Sequence, residues 1–337
     1  MKKGVLIMKK MISLVIAIMM VLSLAACGSS QAPANTTPTG YETNFKVAIV
    51  QQLDHSSLDE IRVAIDAQLK ALAEEAGVGI VVSDYNGQND GSVLNQIGTQ
   101  VVADEYDMII PIATTAAQCM VTAADGTDIP IVYAAISDPE TAGLTGISTV
   151  TGVSDALNTP FILDMMLAAQ PDIQSVGLLY SLSEPNSATP IAQAKEYLAA
   201  KGITVIEKTG NTVDEINTAA STLVGQVDAV FTPTDNAVMA AEGSVAEIFA
   251  EAGIAHYTGA DSFVLSGAFT TCGVNYTELG TKTADMAFDI LMGGAIGDYH
   301  VMEGGIITVN TETAAVLGID YSVFAQMANT VNEVTTG

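Results

Sequence analysis

From Phe45 onward, short runs of apolar, β-branched residues alternate with segments of helical pattern. The first run, Lys46–Val50, leads to a predicted helix over Leu58–Glu75, and Gly79–Ser83 leads to a predicted helix over Ser92–Asp104. Strands that are apolar along their whole length are buried on both faces, and helices between them supply the cover. The pattern therefore predicts an α/β fold with a parallel sheet between two layers of helices.

The alternation restarts after residues 137–155, a segment rich in Gly, Thr and Ser. Before it, we predict strands over Asp107–Ile112 and Ile129–Ala134 on either side of a helix over Thr114–Ala124. After it, the predicted order is a helix over Asn158–Ala169, a strand over Ser175–Tyr180, a helix over Ala188–Ala200, a strand over Ile203–Glu207, a helix over Val213–Gly225, a strand over Val227–Phe231 and a helix over Ala237–Ala252. Two doubly wound α/β lobes are expected, since a chain of 337 residues exceeds what one core usually holds.

The N-terminus has the pattern of a secretory signal. Two basic starts, Met1–Lys3 and Met8–Lys10, precede the apolar run Met11–Ala26, and either methionine fits as the first residue. The run is shorter than the roughly 20 apolar residues that a membrane span needs. Small residues lead into Cys27, which resembles the lipobox of bacterial lipoproteins. An ordinary secreted protein with an unmodified Cys27 is the alternative.

The composition of the chain limits the classes of partner that it can bind. Residues 29–40 carry no charge and no bulky apolar side chain, which predicts a flexible tether over 28–44. The formal charge is −27, and removal of a signal with its four lysines makes it −31. Such a chain is repelled by nucleic acid and by anionic membrane surfaces, so we expect neither as a partner.

No catalytic or metal-binding pattern stands out. The three histidines, His55, His256 and His300, are far apart in sequence, and Gly280–Thr283 only partly resembles a phosphate-binding loop. Cys119 and Cys272 have no metal-ligand spacing, and a bridge between them is left open. We therefore expect no catalytic residues, no metal and no cofactor.

Two strand-to-helix turns are similar in the two halves of the chain. Residues 106–114 and 227–235 each pass from an acidic residue through an apolar strand to Thr-rich polar residues. Ligands of open α/β sheets bind beyond the carboxyl ends of the strands, so two facing lobes would bring both turns into one cleft. Thr114 and Thr115, at a helix start, can donate to a carboxylate, and Asp235 can pair with an ammonium group. Helix capping is an equally good explanation of these residue types.

Several segments together resemble the substrate-binding lipoproteins of bacterial ABC transporters, in the family typified by tryptophan- and tyrosine-binding components. The resemblance covers residues 45–325 and is carried by residues 54–59, 113–118, 137–139 with 143–144, 150–155, 180–187, 233–236 and 275–280.

This resemblance implies a type I periplasmic-binding-protein fold in which ligand binding closes two lobes by a hinge motion. The implied division is a signal peptide (1–27), a tether (28–44), a first lobe (45–152 plus 275–298) and a second lobe (153–274 plus 299–330), with the third crossing near Cys272–Asn275. It also implies a monomer outside the cytoplasm, lipid-anchored to the cell membrane. This protein would deliver a small molecule to a membrane permease that has a cytoplasmic ATPase.

An α-amino acid, with an aromatic one in first place, is the expected ligand. The alternatives are a sugar or nucleoside in the same fold, or a lipid-tethered enzyme or sensor. A sugar is disfavoured because the chain has no Trp and the mature part has one Arg, Arg62. The expected ligand-binding residues are Gln51, Thr114, Thr115, Ala116, Tyr133, Asp138, Tyr180, Glu184, Asn186, Ser187, Thr234 and Asp235.

We predict that Cys27 is the lipidated N-terminus of the mature protein. Cys27→Ser should move the protein from the membrane fraction to the soluble fraction, because acyl chains supply an anchorage that a strongly acidic body does not obtain from anionic lipids. Fractionation followed by immunoblotting measures this, with Cys119→Ser as the matched control. A Cys27→Ser protein that stays in the membrane fraction contradicts the assignment.

Overall fold

A computed structural model describes residues 40–337. Cys27, the expected signal peptide and most of the expected tether lie outside the described residues. The strands are β1 (Asn44–Gln51), β2 (Gly79–Asn86), β3 (Met108–Ile112), β4 (Ile131–Ala134), β5 (Val150–Ser154), β6 (Ser175–Tyr180), β7 (Thr204–Thr209), β8 (Ala229–Thr232), β9 (Ala255–Thr258), β10 (Thr270–Gly273), β11 (His300–Val301), β12 (Ile306–Asn310) and β13 (Thr330–Val334).

The α-helices of the described residues are α1 (Ser56–Ala76), α2 (Gly91–Ala103), α3 (Thr114–Ala123), α4 (Thr159–Ala169), α5 (Ala188–Ala200), α6 (Val213–Leu223), α7 (Asn236–Met239), α8 (Glu242–Glu251), α9 (Asp261–Leu265), α10 (Tyr276–Leu291) and α11 (Thr311–Leu317). Short 3₁₀ turns cover Pro185–Ser187 and Ser322–Gln326.

Two sheets form two lobes, as expected from the restarted pattern. The first lobe has the strand order β11-β5-β4-β3-β1-β2, and all of its pairings are parallel. The second has the order β13-β12-β10-β9-β8-β6-β7, in which β10 and β12 are antiparallel and the other neighbours are parallel. In each lobe the strand order reverses within the sheet, which is the doubly wound arrangement.

Helices cover both faces of the first sheet, and the alternation of strand side chains decides which face each residue joins. Val47 and Ile49 of β1 are buried with α1 and α10, whereas Ala48 and Val50 are buried on the other face with α2 and α3. Both sets are apolar because neither face of the strand meets water. The apolar run in β1 is continuous because helices cover the strand on both faces of the sheet.

The chain passes between the sheets three times. It leaves the first sheet after β5, returns to the first lobe after β10 and leaves it again after β11. Because His300 pairs with Val153 and Val301 with Ser154, the first sheet extends beyond residue 152 and includes 300–301, which the expected boundaries assign to the second lobe. The passage after Gly273 is the second of the three rather than the third, and residues 302–305 form the third.

Predicted and observed elements agree most closely where the pattern is strongest. The strand Ser175–Tyr180 and the helix Ala188–Ala200 have the bounds expected from the sequence. The prediction of one continuous helix over Ala237–Ala252 is wrong, because this segment is divided into the two helices α7 and α8. The second of these begins at Glu242, whose buried carboxylate lies 3.0 Å from Nδ1 of His256.

The two longest helices of the first lobe, α1 and α10, pack tightly because a glycine stands at their contact. A Cβ atom at Gly280 would lie 2.7 Å from Cβ of Ala64 and 2.7 Å from the carbonyl oxygen of Ile61. Both distances are shorter than a carbon atom tolerates, and one partner is backbone. Gly280 therefore sets the closest approach of these helices.

We predict opposite effects of one substitution at two helical glycines. Gly280→Ala should lower the free energy of unfolding by about 1–3 kcal/mol, because the added methyl group overpacks the α1–α10 contact. Gly243→Ala, exposed in α8 with open space around it, should raise that free energy by roughly 0.5–1 kcal/mol through helix propensity. Chemical denaturation of both variants measures the pair, and equal stabilisation by both contradicts the packing argument.

Candidate functional site

A small cavity lies between the two lobes, at the carboxyl ends of their strands. The first lobe contributes residues that follow β1, β3, β4 and β5, and the second contributes residues that follow β6, β8 and β9. The lining consists of His55, Ser57, Leu58, Ala113, Thr114, Ala135, Ser137, Asp155, Asn186, Thr234, Asp235, Asn236, Met239, Ala260, Ser262, Phe263 and Tyr276. The position is that expected for a ligand site in an open α/β sheet.

Two alanines in the lining have a backbone conformation that side chains rarely adopt. Ala113, between β3 and α3, has a φ of 75°, and Ala135, directly after β4, has a φ of 56°. Such conformations cost roughly 1–3 kcal/mol each and persist where the surrounding structure holds them. The turn at Ala113 brings Thr114, the first residue of α3, to the cavity wall.

Asp155 is the carboxylate in the lining with unused acceptor capacity. Its Oδ1 accepts a hydrogen bond of 3.1 Å from the hydroxyl of Ser137, and the hydroxyl of Tyr276 also donates to it. Burial raises the pKa of Asp155 to about 6. Among residues 40–337, the cavity lining includes no Lys or Arg to offset this charge. The site is therefore suited to a ligand that brings a cation.

Asp235, which we expected to bind an ammonium group, also lines the cavity, but its oxygens are already engaged. Oδ2 accepts from the backbone N–H of Ser181 and the hydroxyl of Ser187, both at 2.7 Å, and Oδ1 accepts from the N–H of Val238 at 3.0 Å. Asp235 is thus the N-cap of α7 and a buried junction between β6 and β8. Burial nonetheless raises its pKa.

Other polar atoms in the lining have no hydrogen-bond partner within the described part of the chain. They are the hydroxyl oxygens of Ser57, Thr114 and Ser262, Oδ1 of Asn186 and Nδ1 of His55, all buried from solvent. A buried polar atom without a partner costs about 1–3 kcal/mol, and native proteins rarely leave several in one place. Their concentration around one cavity indicates that a polar ligand supplies the missing partners.

Direct hydrogen bonds join the lobes around the cavity. Four such bonds connect side chains of the first and second lobes: Gln52 to Glu184 at 2.7 Å, His55 to Asn236 at 3.0 Å, Ser137 to Thr234 at 3.0 Å, and Thr189 to Asp138 at 2.6 Å. These contacts are made when the lobes are together, so the structure is a closed arrangement.

Glu184 is the centre of this closed contact. Oε1 accepts from Nε2 of Gln52, and Oε2 accepts from Nδ2 of Asn236 at 2.7 Å. The carbonyl oxygen of the Gln52 side chain in turn accepts from the backbone N–H of Thr115 at 3.2 Å. Burial, together with the nearby charge of Asp235, raises the pKa of Glu184 to about 8.

The structure brings four of the residues expected from the sequence into the cavity lining and places the others outside it. The lining residues are Thr114, Asn186, Thr234 and Asp235. Glu184 and Asp138 contact the opposite lobe, Ser187 supports Asp235, and Thr115 donates its N–H to Gln52. Gln51 bonds Leu53 and Asp59, and Ala116 is buried in the first-lobe core.

The two tyrosines expected to flank a ligand ring lie elsewhere. Tyr133 is buried in the core of the first lobe, packed so closely on β5 that a Cβ at Gly152 would lie 2.4 Å from its ring. Tyr180 ends β6 and donates its hydroxyl to Glu207 at 2.9 Å. The apolar part of the lining comes instead from Leu58, Met239 and Phe263, with Ala113, Ala135 and Ala260.

Several lining residues were not among the expected site residues. Ser137 and Asp155 bound the polar segment at which the alternation of strands and helices breaks. Ser57, Ser262 and Phe263 lie in first turns of helices that follow strands, so their place after a strand end was the available signal. His55 is the N-cap residue of α1 and also lines the cavity.

Within residues 40–337, no group of three or more His, Cys, Asp or Glu side chains is arranged to hold a metal ion. None of the helices in the same range combines the length and the apolar character of a membrane span. Cys119 and Cys272 are both free thiols.

Sequence comparison identifies relatives over nearly the whole described fold. Residues 46–329 match the family of ABC transporter substrate binding proteins. The chain is 30% identical over 320 residues to the Tyrosine-binding protein of Clostridioides difficile (strain R20291), covering 92% of each.

Solved structures show the same fold in two states. An ABC domain from Streptococcus pneumonia in complex with L-Trp has a TM-score of 0.79 at 28% identity, covering 86% of this chain and 100% of that one. The ligand-free, open structure of a substrate binding protein with adhesive properties from Clostridium difficile has a TM-score of 0.66 at 30% identity, covering 87% and 100%. Identity and coverage are similar, so the higher score with the L-Trp complex agrees with a closed arrangement here. By the match of its sequence and the agreement of its fold, the chain belongs to the ABC transporter substrate binding protein family.

Proposed function

We propose that this protein captures an aromatic α-amino acid outside the cytoplasm and delivers it to the permease of an ABC importer. The observation that carries the proposal is the pairing, in one closed cavity, of an uncompensated buried carboxylate with an unpartnered hydroxyl at a helix start. Asp155 supplies the first and Thr114 the second. An α-amino acid carries one cation, which can pair with the carboxylate, and one anion, which can accept from the hydroxyl.

Each end of the ligand backbone has a partner in the first lobe. The ammonium group pairs with Asp155, which Ser137 and Tyr276 orient through their hydroxyl groups. The carboxylate lies at the N-terminus of α3, where the Thr114 hydroxyl and the positive end of the helix dipole favour an anion. Thr114 and Asp155 follow β3 and β5, which are separated in the sheet by β4 alone.

The body of the side chain lies against Leu58, Met239 and Phe263, which supply an apolar wall and one aromatic ring. An aromatic ligand is further supported by the relatives, one described as tyrosine-binding and one solved with L-Trp. A neutral sugar or nucleoside would leave the charge of Asp155 buried without a partner, which disfavours that alternative.

The cellular part of the proposal depends on sequence. Lipidation at Cys27 would tether the protein to the membrane, and the segment up to residue 44 would let the lobes reach a permease. The relatives are substrate-binding proteins rather than enzymes, and the protein is expected to act as a monomer without catalysis.

Two matched substitutions separate a ligand-binding carboxylate from a structural one. Asp155→Asn should weaken binding of the recognised amino acid by about 3–5 kcal/mol, because the ligand ammonium loses its buried partner, with little change in melting temperature. Asp235→Asn should lower the melting temperature, because three buried donors lose an anionic acceptor. Calorimetry against amino acids, sugars and nucleosides, with thermal melts, measures both. Binding of a sugar or nucleoside and of no amino acid overturns the proposal.

The affinity should also depend on pH. The ligand ammonium pairs with ionised Asp155, so affinity should be retained above a pH of about 6 and fall as the pH drops below the raised pKa of that carboxyl group. Burial and the nearby charge of Asp235 raise the pKa of Glu184 to about 8, so Glu184 takes up its proton at a higher pH than Asp155 does. A loss of affinity as the pH falls through about 6 therefore reports Asp155. This loss should be absent in Asp155→Asn, and its persistence there would contradict the role given to Asp155.

A further inference from the structure

His55 presents an unused hydrogen-bonding atom to the cavity, and it follows a different strand of the first sheet from Asp155. His55 follows β1 and Asp155 follows β5, and two strands, β4 and β3, lie between β5 and β1 in the sheet. Three strand spacings amount to roughly 14 Å at the usual distance between neighbouring strands. The two side chains therefore enter the cavity from well-separated strand ends and can meet different parts of one ligand.

The hydrogen bonds around His55 decide which of its ring nitrogens is available. The side-chain Nδ2 of Asn236 donates to Glu184, so the oxygen of that amide faces Nε2 of His55 at 3.0 Å. An amide oxygen only accepts, so Nε2 carries the hydrogen. Burial lowers the pKa of His55 and outweighs the opposite effects of the Asn236 hydrogen bond and of the Asp59 and Asp54 charges, so the ring is neutral and Nδ1 is an acceptor.

A second unpartnered polar atom lies on the same turn. The hydroxyl of Ser57, in the first turn of α1, is buried in the cavity wall and has no partner within the described residues, and the same holds for Nδ1 of His55. The hydroxyl can donate as well as accept. Leu58, the next residue, is apolar and also lines the cavity. This turn therefore provides a small polar subsite beside an apolar wall.

We propose that His55 determines side-chain specificity by accepting a hydrogen bond from a donor at the far end of the ligand's side chain, with Ser57 beside it. This inference rests on the proposed function, in which Asp155 holds the ammonium group. The recognised class narrows to amino acids whose ring ends in a donor, as a phenol hydroxyl or an indole N–H does. A plain phenyl ring leaves two buried polar atoms without partners and is disfavoured for that reason.

The test compares L-tyrosine with L-phenylalanine, which differ by one hydroxyl group, and adds L-tryptophan as the indole probe. Calorimetry should show the wild-type protein binding L-tyrosine or L-tryptophan at least tenfold more tightly than L-phenylalanine. His55→Leu should bring this ratio close to one without weakening L-phenylalanine to the same degree. His55→Gln, which keeps an acceptor, should retain part of the preference, and His300→Leu, an exposed position in β11, should retain all of it.

The ratio of affinities separates ligand contact from the role of His55 in closing the lobes. Loss of the bond to Asn236 weakens closure around every ligand alike, so it lowers all affinities and leaves the ratio unchanged. Equal wild-type affinity for the three amino acids overturns the specificity proposal while the proposed function stands. A preference that survives in His55→Leu overturns it as well. Binding of none of the three, with a sugar or nucleoside bound instead, overturns the proposed function itself.

Discussion

The cavity between the lobes buries several polar groups that have no hydrogen-bond partner within the described residues, and this feature determines which ligand the lobes can close over. Asp155 is a carboxylate with no Lys or Arg in the described lining, and hydroxyl, imidazole and amide atoms around it are unpaired. Closing two lobes over such groups is unfavourable when the cavity is empty, because each group loses water. A ligand that pairs with these groups removes the cost of closing the lobes. The lobes therefore close only around a ligand with matching donors and acceptors, and this makes binding selective.

The fold produces this feature by bringing strand ends together. Parallel strands place their carboxyl ends at one edge, so the residues after β1, β3, β4 and β5 meet those of the second lobe without long loops. The three passages of the chain between the sheets keep the two edges facing each other. Gly304 and Gly305 lie in the last passage, and Gly305 has a φ of 101°, a conformation that suits glycine. Movement at these passages can separate the lobes without disturbing either sheet.

Much of the fold could be predicted from the sequence, because burial on both faces leaves a direct mark on composition. The strand Ser175–Tyr180 and the helix Ala188–Ala200 are examples, since each is a run of one pattern with clear limits. The division of the helix predicted over Ala237–Ala252 was not predictable in the same way. It accompanies the burial of Glu242 against His256, a tertiary contact between residues that no local pattern connects.

The site was predicted in part, and the two aspartates show why. Asp155 and Asp235 both follow strands, both are buried and both line the cavity, so residue type and local sequence do not distinguish them. What separates them is where their donors lie: Asp235 accepts from the backbone N–H groups of Ser181 and Val238 and from the hydroxyl of Ser187, whereas Asp155 accepts from the hydroxyls of Ser137 and Tyr276 and from its own backbone N–H. The donors to Asp235 lie after β6, in α7 and in the turn before α5, which converge only in the folded chain.

The same reasoning applies to Glu184. Its carboxylate is predicted from sequence as a ligand contact, yet in the closed arrangement both oxygens accept from amides, one from each lobe. The fixed part of this network is the backbone N–H of Thr115, which can only donate and therefore orients Gln52. A backbone group at the start of α3 thus sets the direction of hydrogen bonds that cross the cleft, and the ligand meets a wall whose donors and acceptors are already assigned. Such a site is selective because a wrong ligand leaves buried donors or acceptors without partners. Closing the lobes makes this costly, since it excludes the water that would otherwise bond to those groups.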